Sequence, residues 1–288
     1  MIGGLRNVAC VEIGGIPIAL STSDEGFLNL LRQRYEGFLS SSRPEFALEF
    51  DLTSAGPASD DDVQVRREGD EWILRRGDFH ARWNPCTGQG RVRQDANPYS
   101  VDSVLRIVHS LILAERGGFL LHSASAICDG RAYLFSGVSG AGKTTMTRLA
   151  PADITLLTDE ISYVRPSNVR PSNDRPSDRG YRAFGTPFAG ELAKVGENCD
   201  APVSALFFLE QGPENRVAEV PAAEGARRLM RNILFFAEDR GLVEKLFATA
   251  CEFVDRVPIR RLTFYPDARV WDLVRNFDRN FHGVHQHV

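Results

Sequence analysis

The stretch at residues 137–144, GVSGAGKT, constrains the fold more than any other part of the chain. It matches the pattern G-x-x-x-x-G-K-[ST], in which glycines let backbone N–H groups turn toward phosphate oxygens without side chains in the way. An apolar run at residues 132–135 precedes it and predicts a strand, and a helix is expected to begin at Lys143. A strand, a glycine loop and a helix in this order predict a bound nucleoside triphosphate.

This pattern also predicts which residues contact the nucleotide. The Lys143 ammonium is expected to reach the β- and γ-phosphates, and the Thr144 hydroxyl is expected to ligate Mg²⁺. ATP and Mg²⁺ are therefore the expected cofactors. The predicted nucleotide-binding residues are Gly137, Val138, Ser139, Gly140, Ala141, Gly142, Lys143, Thr144 and Thr145.

An acidic pair, Asp159-Glu160, follows an apolar strand about fifteen residues after the loop. A carboxylate at this place can hold Mg²⁺ directly or through water, and its neighbour can accept the proton of an incoming hydroxyl. The alternative is that one of the two merely caps the strand end. The short spacing favours a compact kinase-like site over a mechanical ATPase. Asp159, Glu160 and Lys143 are the predicted catalytic residues, and Asp159 is also a predicted metal ligand.

A histidine precedes the glycine loop on a neighbouring strand. The runs FLLHSASAIC and RAYLFSG are joined by Asp129-Gly130, which is a strong signal for a two-residue hairpin turn. The hairpin would place His122 beside the phosphate site. A lone histidine in an apolar strand is also typical of a structural residue, so the residue pattern leaves both roles open.

The rest of the chain predicts two domains. Residues 1–98 alternate apolar and polar positions between turn clusters, which predicts a β-rich N-terminal domain. Near residue 99 the pattern changes to a helix that Ser100 would cap and Gly117 would end. Residues 99–288 are expected to form a P-loop domain, so the predicted fold class is α/β with mixed α+β character. A polar Arg-Pro-Ser repeat at residues 165–180 predicts a surface loop, with a mobile lid as the alternative.

Composition excludes several classes of protein. The 288 residues are 43% hydrophobic and 25% charged, which is ordinary for a globular chain with its own core. A net charge of -4 argues against electrostatic binding to nucleic acid or to anionic lipid. Five widely spaced cysteines indicate reduced thiols, and no apolar run reaches the length of a membrane helix. We expect a cytoplasmic protein with no nucleic-acid or membrane partner.

The segments LLHSASA, LFSGVSGAGKTT and LLTDE together resemble the HPr kinase/phosphorylase family, over roughly residues 117–165. That family shares its nucleotide fold with ATP-dependent phosphoenolpyruvate carboxykinases. The resemblance implies a P-loop kinase domain of this type and a homo-oligomer, whereas residues 1–98, the smaller N-terminal domain, do not look like the family's usual N-terminal domain. It also implies that His122 is an active-site residue, that Asp159 acts as base toward an acceptor serine, and that Glu160 is its acidic neighbour.

One signature of that family is missing from the chain. The E-I-R-G-L-G type segment, which supplies a further metal carboxylate, is not found. The segment YRAFGTPFAGE at residues 181–191 is expected to take its place, with Glu191 as a metal ligand beside Thr144 and Asp159. The alternative is a plain turn.

These residues predict a Mg²⁺-dependent kinase that transfers the γ-phosphoryl group of ATP to a serine hydroxyl of a protein or peptide. Two alternatives stay open. The acceptor could be a small metabolite, or the chain could be a nucleotide-binding regulatory protein with little turnover.

Overall fold

The computed structural model describes residues 7–53, 63–167, 180–190 and 195–282. By its internal contacts the chain divides into two compact units. The first comprises Met1–Arg116 with Phe235–Glu244, and the second comprises Gly117–Leu234 with Lys245–Val288. The predicted domain boundary near residue 99 stays a prediction.

The first unit is built on one seven-stranded sheet in the order β1-β2-β3-β7-β6-β5-β4. Strand β3 pairs in parallel with β2 and β7, and the other neighbours are antiparallel. Its elements are β1 Val8–Ile13, β2 Ile16–Thr22, α1 Glu25–Arg34, a 3₁₀ turn Glu36–Phe38, β3 Phe46–Leu52, β4 Gln64–Glu68, β5 Glu71–Arg76, β6 Phe79–Asn84, β7 Gln89–Gln94 and α2 Pro98–Glu115.

Helix α2 is confirmed, but its predicted cap is wrong. The helix begins one turn earlier than expected, because the Asn97 side chain accepts a hydrogen bond from the Tyr99 backbone N–H. Ser100 lies inside the helix, where its hydroxyl donates to Asp78 Oδ2 at 2.7 Å. His109 on the same helix is fully buried. Burial, and secondarily the positive charge of Arg116, lower the pKa of His109 to about 3.

Two carboxylates of the first unit are buried against cations. Asp78, 4% exposed, accepts hydrogen bonds from Arg76 Nε at 2.5 Å and Nη2 at 2.7 Å. The bond from Arg76, and then that from Ser100, hold the pKa of Asp78 below its usual value against the effect of burial. Asp102, 5% exposed, pairs with the Arg34 guanidinium and accepts from Tyr35 Oη at 2.5 Å. Both carboxylates therefore act in structural ion pairs.

The second unit is built around a nine-stranded sheet. Its main path is β10-β8-β11-β12-β13-β16-β14, with β9 pairing β8 and β13 and with β15 pairing β8. Its elements are β8 Phe119–Cys128, β9 Arg131–Ser136, α3 Lys143–Arg148, β10 Thr155–Thr158, β11 Ile161–Pro166, β12 Tyr181–Phe184, β13 Asp200–Gln211, β14 Arg216–Glu219, α4 Ala222–Asn232, β15 Ile233–Leu234, α5 Arg240–Arg256, β16 Ile259–Phe264 and α6 Val270–His282.

An aromatic core beneath this sheet supports the glycine loop. The rings of Phe135 and Phe207 stack with centroids 5.8 Å apart, and the Trp271 ring meets Phe135 edge-on at 5.4 Å. The Trp271 indole Nε1 donates to the backbone carbonyl of Met146 at 3.1 Å. This bond fixes helix α3, the segment that directly follows the loop.

The predicted fold class is wrong. The chain is mostly β, with few helices in the part that the structure describes, and it is not the α/β P-loop kinase domain with a small N-terminal domain that we expected. Between the parallel strands β9 and β13, where an α/β fold would have a long crossover helix, the described residues form only one helix, the six-residue α3. The chain then returns along β8 as the antiparallel strands β10 and β11. No helix in the described ranges is both long and apolar enough to cross a membrane.

Candidate functional site

The glycine loop lies at the carboxyl ends of three parallel strands. Strand β13 pairs in parallel with β9 on one side and β16 on the other, so the three strands end at the same edge. The loop leaves this edge directly after Ser136, the last residue of β9. Gln211, the last residue of β13, donates from Nε2 to the Gly140 carbonyl at 2.7 Å. In sheets with parallel strands, ligands usually bind at the edge formed by the carboxyl ends of those strands.

The backbone of the loop requires glycine at its final turn. Gly142 is the N-cap of α3 and has a φ of 112°, a conformation that L side chains rarely adopt. A Cβ atom at Gly142 would also collide with the ring of Phe264. Gly140 has a φ of 77°, but a Cβ there would meet open space. Residue type is therefore restricted by conformation and packing at Gly142, and by conformation alone at Gly140.

The lysine of the motif lies over the loop. The Lys143 ammonium donates to the Gly137 carbonyl at 2.9 Å and to the Val138 carbonyl at 3.4 Å. Thr144 beside it is half-buried. Because α3 has six residues, its dipole adds little, and an anion at this edge would interact mainly with the loop N–H groups and the lysine charge.

The acidic pair lies between β10 and β11, two consecutive strands that both pair with β8. Both β10 and β11 are antiparallel to β8, with Thr158 opposite Ser125 and Ile161 opposite His122. Asp159 and Glu160 therefore occupy the step between two strands that follow each other along β8. We expected the strand to end at this pair, but it resumes immediately as β11. The Glu160 carbonyl accepts from the Ser123 N–H at 2.9 Å, which keeps the step attached to β8.

The buried member of the pair is held by backbone. Asp159 is 5% exposed, and its Oδ1 accepts a hydrogen bond from the Gly190 N–H at 2.8 Å. Glu160 is half-buried. The predicted hairpin of β8 and β9 is confirmed, with Asp129 and Gly130 both at positive φ, and it brings the strand of His122 alongside the strand that leads into the loop.

One cavity of about 330 Å³ joins these elements. It is lined by the predicted residues His122, Ser139, Gly140, Gly142, Lys143, Thr144, Thr145, Asp159 and Glu160. It is also lined by Arg148 and Gln211, which the sequence reasoning did not assign to the site, and by Gly190, which lies in the segment expected to replace the missing family signature. Gly137, Val138 and Ala141 do not line it, and the predicted metal ligand Glu191 lies outside the described residues. The Arg-Pro-Ser repeat also falls almost wholly outside them.

Two of the added residues could have been found in the sequence. Arg148 follows Thr144 by four positions, so the two share a helix face. Gln211 ends the strand APVSALFFLEQ, and a polar residue at the end of an apolar parallel strand is a signal for a ligand edge. Gly190, with Gly185 and Pro187, indicates a tight functional loop in the sequence, but no local pattern predicts its contact with Asp159, which spans thirty-one positions.

The oxygen donors in the cavity fit magnesium. Over the residues that the structure describes, no group of three or more His, Cys, Asp and Glu side chains is arranged to hold a metal ion. Mg²⁺ does not need such a group, because it usually keeps several waters and uses one or two carboxylates with substrate phosphates. The Thr144 hydroxyl and the Asp159 carboxylate line one cavity and are donors of this kind.

Comparison with known protein families identifies the family to which the chain belongs. A family model described as SynChlorMet cassette protein ScmC matches residues 86–277, which is well over half of the sequence. The chain belongs to this family. The match covers the glycine loop, the acidic pair and the strands around them. No curated protein matches the chain at a significant level.

This match corrects the resemblance drawn from the motifs. The family that matches is ScmC, and no HPr kinase family does, so the assignment to the HPr kinase/phosphorylase family is wrong. The segments on which that resemblance depended are short and lie around the phosphate loop. Such segments report a local phosphate-binding geometry, which occurs in many folds, and they do not identify the family.

Proposed function

We propose that this chain is a Mg²⁺-dependent phosphotransferase that moves the γ-phosphoryl group of ATP to a serine hydroxyl of a protein or peptide. One observation carries the proposal. A single cavity is lined by the lysine and threonine of a glycine loop and, from a separate pair of strands, by two adjacent carboxylates. The first set suits a triphosphate, and the second suits a hydroxyl that must lose its proton.

The phosphate end of the site consists of the loop and Lys143. The loop N–H groups and the ammonium would hold the β- and γ-phosphates and stabilise charge that develops on their oxygens during transfer. The Thr144 hydroxyl and the acidic pair would hold Mg²⁺, which neutralises phosphate charge when it is bound. Gln211 would keep the loop in shape through its bond to the Gly140 carbonyl.

The acceptor end consists of the acidic pair and His122. In the proposed reaction the acceptor oxygen forms a bond to the γ-phosphorus, and the bond from that phosphorus to the β,γ-bridging oxygen breaks. ADP leaves, and the proton of the acceptor hydroxyl passes to the Asp159 carboxylate. Glu160 and His122 line the same cavity and would orient the acceptor by hydrogen bonding.

The rim of the cavity favours an acceptor presented from outside. Ser139, Gly140, Arg148 and Gln211 line the cavity and are exposed to solvent. A serine on a peptide segment can reach the carboxylates from that side, with the rest of the peptide on the protein surface. This supports the protein or peptide acceptor over a small metabolite enclosed in a pocket.

The test is transfer of label from γ-labelled ATP. The purified chain is incubated with Mg²⁺ and ATP, alone, with peptides encoded beside its gene, and with small hydroxyl compounds. Lys143→Ala and Asp159→Asn are run in parallel, and a sample with chelator controls for Mg²⁺. We expect label on a peptide serine, with transfer lost in both variants and without Mg²⁺.

Each contrary outcome has a distinct meaning. Label on a small compound alone would replace the peptide acceptor by a metabolite. ATP binding without transfer to any acceptor would favour the regulatory alternative. Full transfer by Asp159→Asn would overturn the role given to the acidic pair.

A further inference from the structure

We propose that the segment at residues 185–190 is a backbone clamp for the acidic pair, with Gly190 and Thr186 as positioning residues for the Asp159 carboxylate. The proposal rests on the proposed function, because it concerns the geometry of the same site. Neither residue is given a chemical step. Each acts by holding Asp159 where a substrate hydroxyl would meet it.

Thr186 fastens the chain on both sides of the acidic pair. Its backbone N–H donates to the Leu157 carbonyl at 3.1 Å, and its hydroxyl donates to the Ile161 carbonyl at 3.1 Å. Leu157 lies two residues before Asp159 and Ile161 lies two residues after it. Thr186 is fully buried, so both bonds are shielded from water. One side chain and its own amide therefore set the spacing of the step between β10 and β11.

Gly190 fixes the carboxylate itself. Its N–H donates to Asp159 Oδ1 at 2.8 Å, a bond strengthened by the charge of the acceptor. A Cβ atom at Gly190 would lie 2.9 Å from Glu160 Cβ and 3.2 Å from Asp159 Oδ2. Gly190 does not have a left-handed backbone conformation, so the restriction at this position comes from contact with the acidic pair. Glycine is needed here because the backbone must approach both carboxylate residues closely.

The chain that follows the clamp is hydrogen-bonded to the clamp itself and to strand β10. The Gly196 N–H donates to the Thr186 carbonyl at 3.1 Å, and the Glu197 N–H donates to the Leu156 carbonyl at 3.0 Å. A Cβ atom at Gly196 would collide with the Leu157 carbonyl. The clamp therefore has attachments before and after the point where Gly190 meets Asp159, which makes the position of its amide well defined.

The activity test compares Gly190→Ala with Gly180→Ala. Gly180 lies in the same unit, and a Cβ there would meet no atom within 4 Å, so it is a matched control. Gly190→Ala is expected to lower phosphoryl transfer by about 10²-fold, since a displacement of about 1 Å can cost that much. Measured without Mg²⁺, its affinity for a fluorescent ATP analogue should stay within about threefold of wild type, because the loop is untouched. Gly180→Ala should match wild type in both.

Thr186 supplies a rescue experiment. Thr186→Val removes the hydroxyl that bonds to Ile161 and should lower transfer, whereas Thr186→Ser keeps it and should restore most of the rate. Wild-type transfer by Gly190→Ala, or a parallel loss of nucleotide affinity, would overturn the proposal. Equal effects of valine and serine at position 186 would also contradict it.

A spectroscopic arm separates this proposal from the proposed function. In protein labelled with ¹⁵N-glycine, the Gly190 amide proton should resonate far downfield, and it should move upfield in Asp159→Ala. An unchanged Gly190 resonance would overturn the clamp whatever the activity. If the wild type transfers no phosphoryl group but the resonance moves as expected, the proposed reaction fails and the clamp stands.

Discussion

Three aspartates of this chain are equally buried but differently surrounded. Asp78, Asp102 and Asp159 are 4%, 5% and 5% exposed. Asp78 and Asp102, in the first unit, accept hydrogen bonds from arginine and from a hydroxyl of serine or tyrosine. Asp159, in the second unit, accepts from a glycine N–H and lines a cavity with a lysine of a glycine loop.

These different surroundings correspond to two roles of a buried carboxylate, one in stability and one in ligand interaction. A carboxylate closed in by a guanidinium and a hydroxyl has its charge and its lone pairs satisfied by the protein, so it stabilises the fold. A carboxylate that is oriented by backbone on the wall of a cavity can also interact with a substrate. Burial alone does not distinguish the two, but a position on the wall of the cavity does.

Replacement of Asp159 by asparagine should therefore affect mainly activity, and replacement of Asp78 should affect mainly stability. This contrast is the largest effect we expect. Asp159→Asn should lower phosphoryl transfer by about 10²–10³-fold, because the amide cannot accept the proton. Its free energy of unfolding should fall by less than that of the Asp78 variant described next, since the amide oxygen can still accept from Gly190. Label transfer and urea unfolding measure the two quantities.

Asp78→Asn is the matched variant in the first unit. It should lower the free energy of unfolding by about 2–3 kcal/mol, because Arg76 loses its partner although that arginine keeps 25% exposure. Transfer per folded molecule should stay at the wild-type level. A lost reaction in Asp78→Asn, or a large loss of stability in Asp159→Asn, would break the distinction.

Alanine substitutions at the two loop glycines should lower the free energy of unfolding by different amounts. This difference is smaller than the contrast expected between the aspartate variants. Gly142→Ala combines a strained φ with a collision against Phe264, and we expect it to cost about 3 kcal/mol and to abolish nucleotide binding. Gly140→Ala has only the strained φ and should cost about 1 kcal/mol. Urea unfolding and titration with an ATP analogue check both. Equal effects would show that the ring of Phe264 does not support the loop.

A further effect concerns the pH dependence of stability in the first unit. His109 has a pKa of about 3 when folded and an ordinary value of 6.5 when unfolded. The unfolded chain therefore takes up a proton as pH falls below 6.5 while the folded chain does not, so stability falls with pH. From pH 8 to pH 5 the loss should be about 2 kcal/mol. Asp78 does not contribute in this window, because its pKa lies below 3.8.

The control for this prediction is His109→Gln, which cannot titrate. Urea unfolding at pH 8 and pH 5 should show about 2 kcal/mol less pH dependence in the variant than in the wild type. The same pH dependence in both proteins would mean that His109 gains a proton in the folded state.

The sequence predicted the elements that have strong local signals. The turn Asp129-Gly130 gave the β8–β9 hairpin, and helix α2 lies close to its expected position. The apolar spacing of AAEGARRLMRNILFFAEDR predicts a helix that continues through residues 233–239. They instead begin with β15, because the apolar pair Ile233–Leu234 pairs with Leu121 and Leu120 of β8. This strand pairing overrides the helical pattern.

The fold class and the clamp depend on contacts between distant residues. The glycine motif specifies a strand, a loop and a helical turn, and it is compatible with a long or a short helix afterwards. Which strands then pair is decided by packing across the whole unit. The hydrogen bond from Gly190 to Asp159 follows from that pairing, so no local pattern could predict it.

Strand β8 has a consequence for how the site opens. It pairs with β9, which leads into the glycine loop, and with β10 and β11, which flank the acidic pair. A local unfolding event that detaches β8 would therefore separate both halves of the site at once. A nucleotide bound at the loop should slow hydrogen exchange in β10 and β11 as well, because it would disfavour the opening that detaches β8.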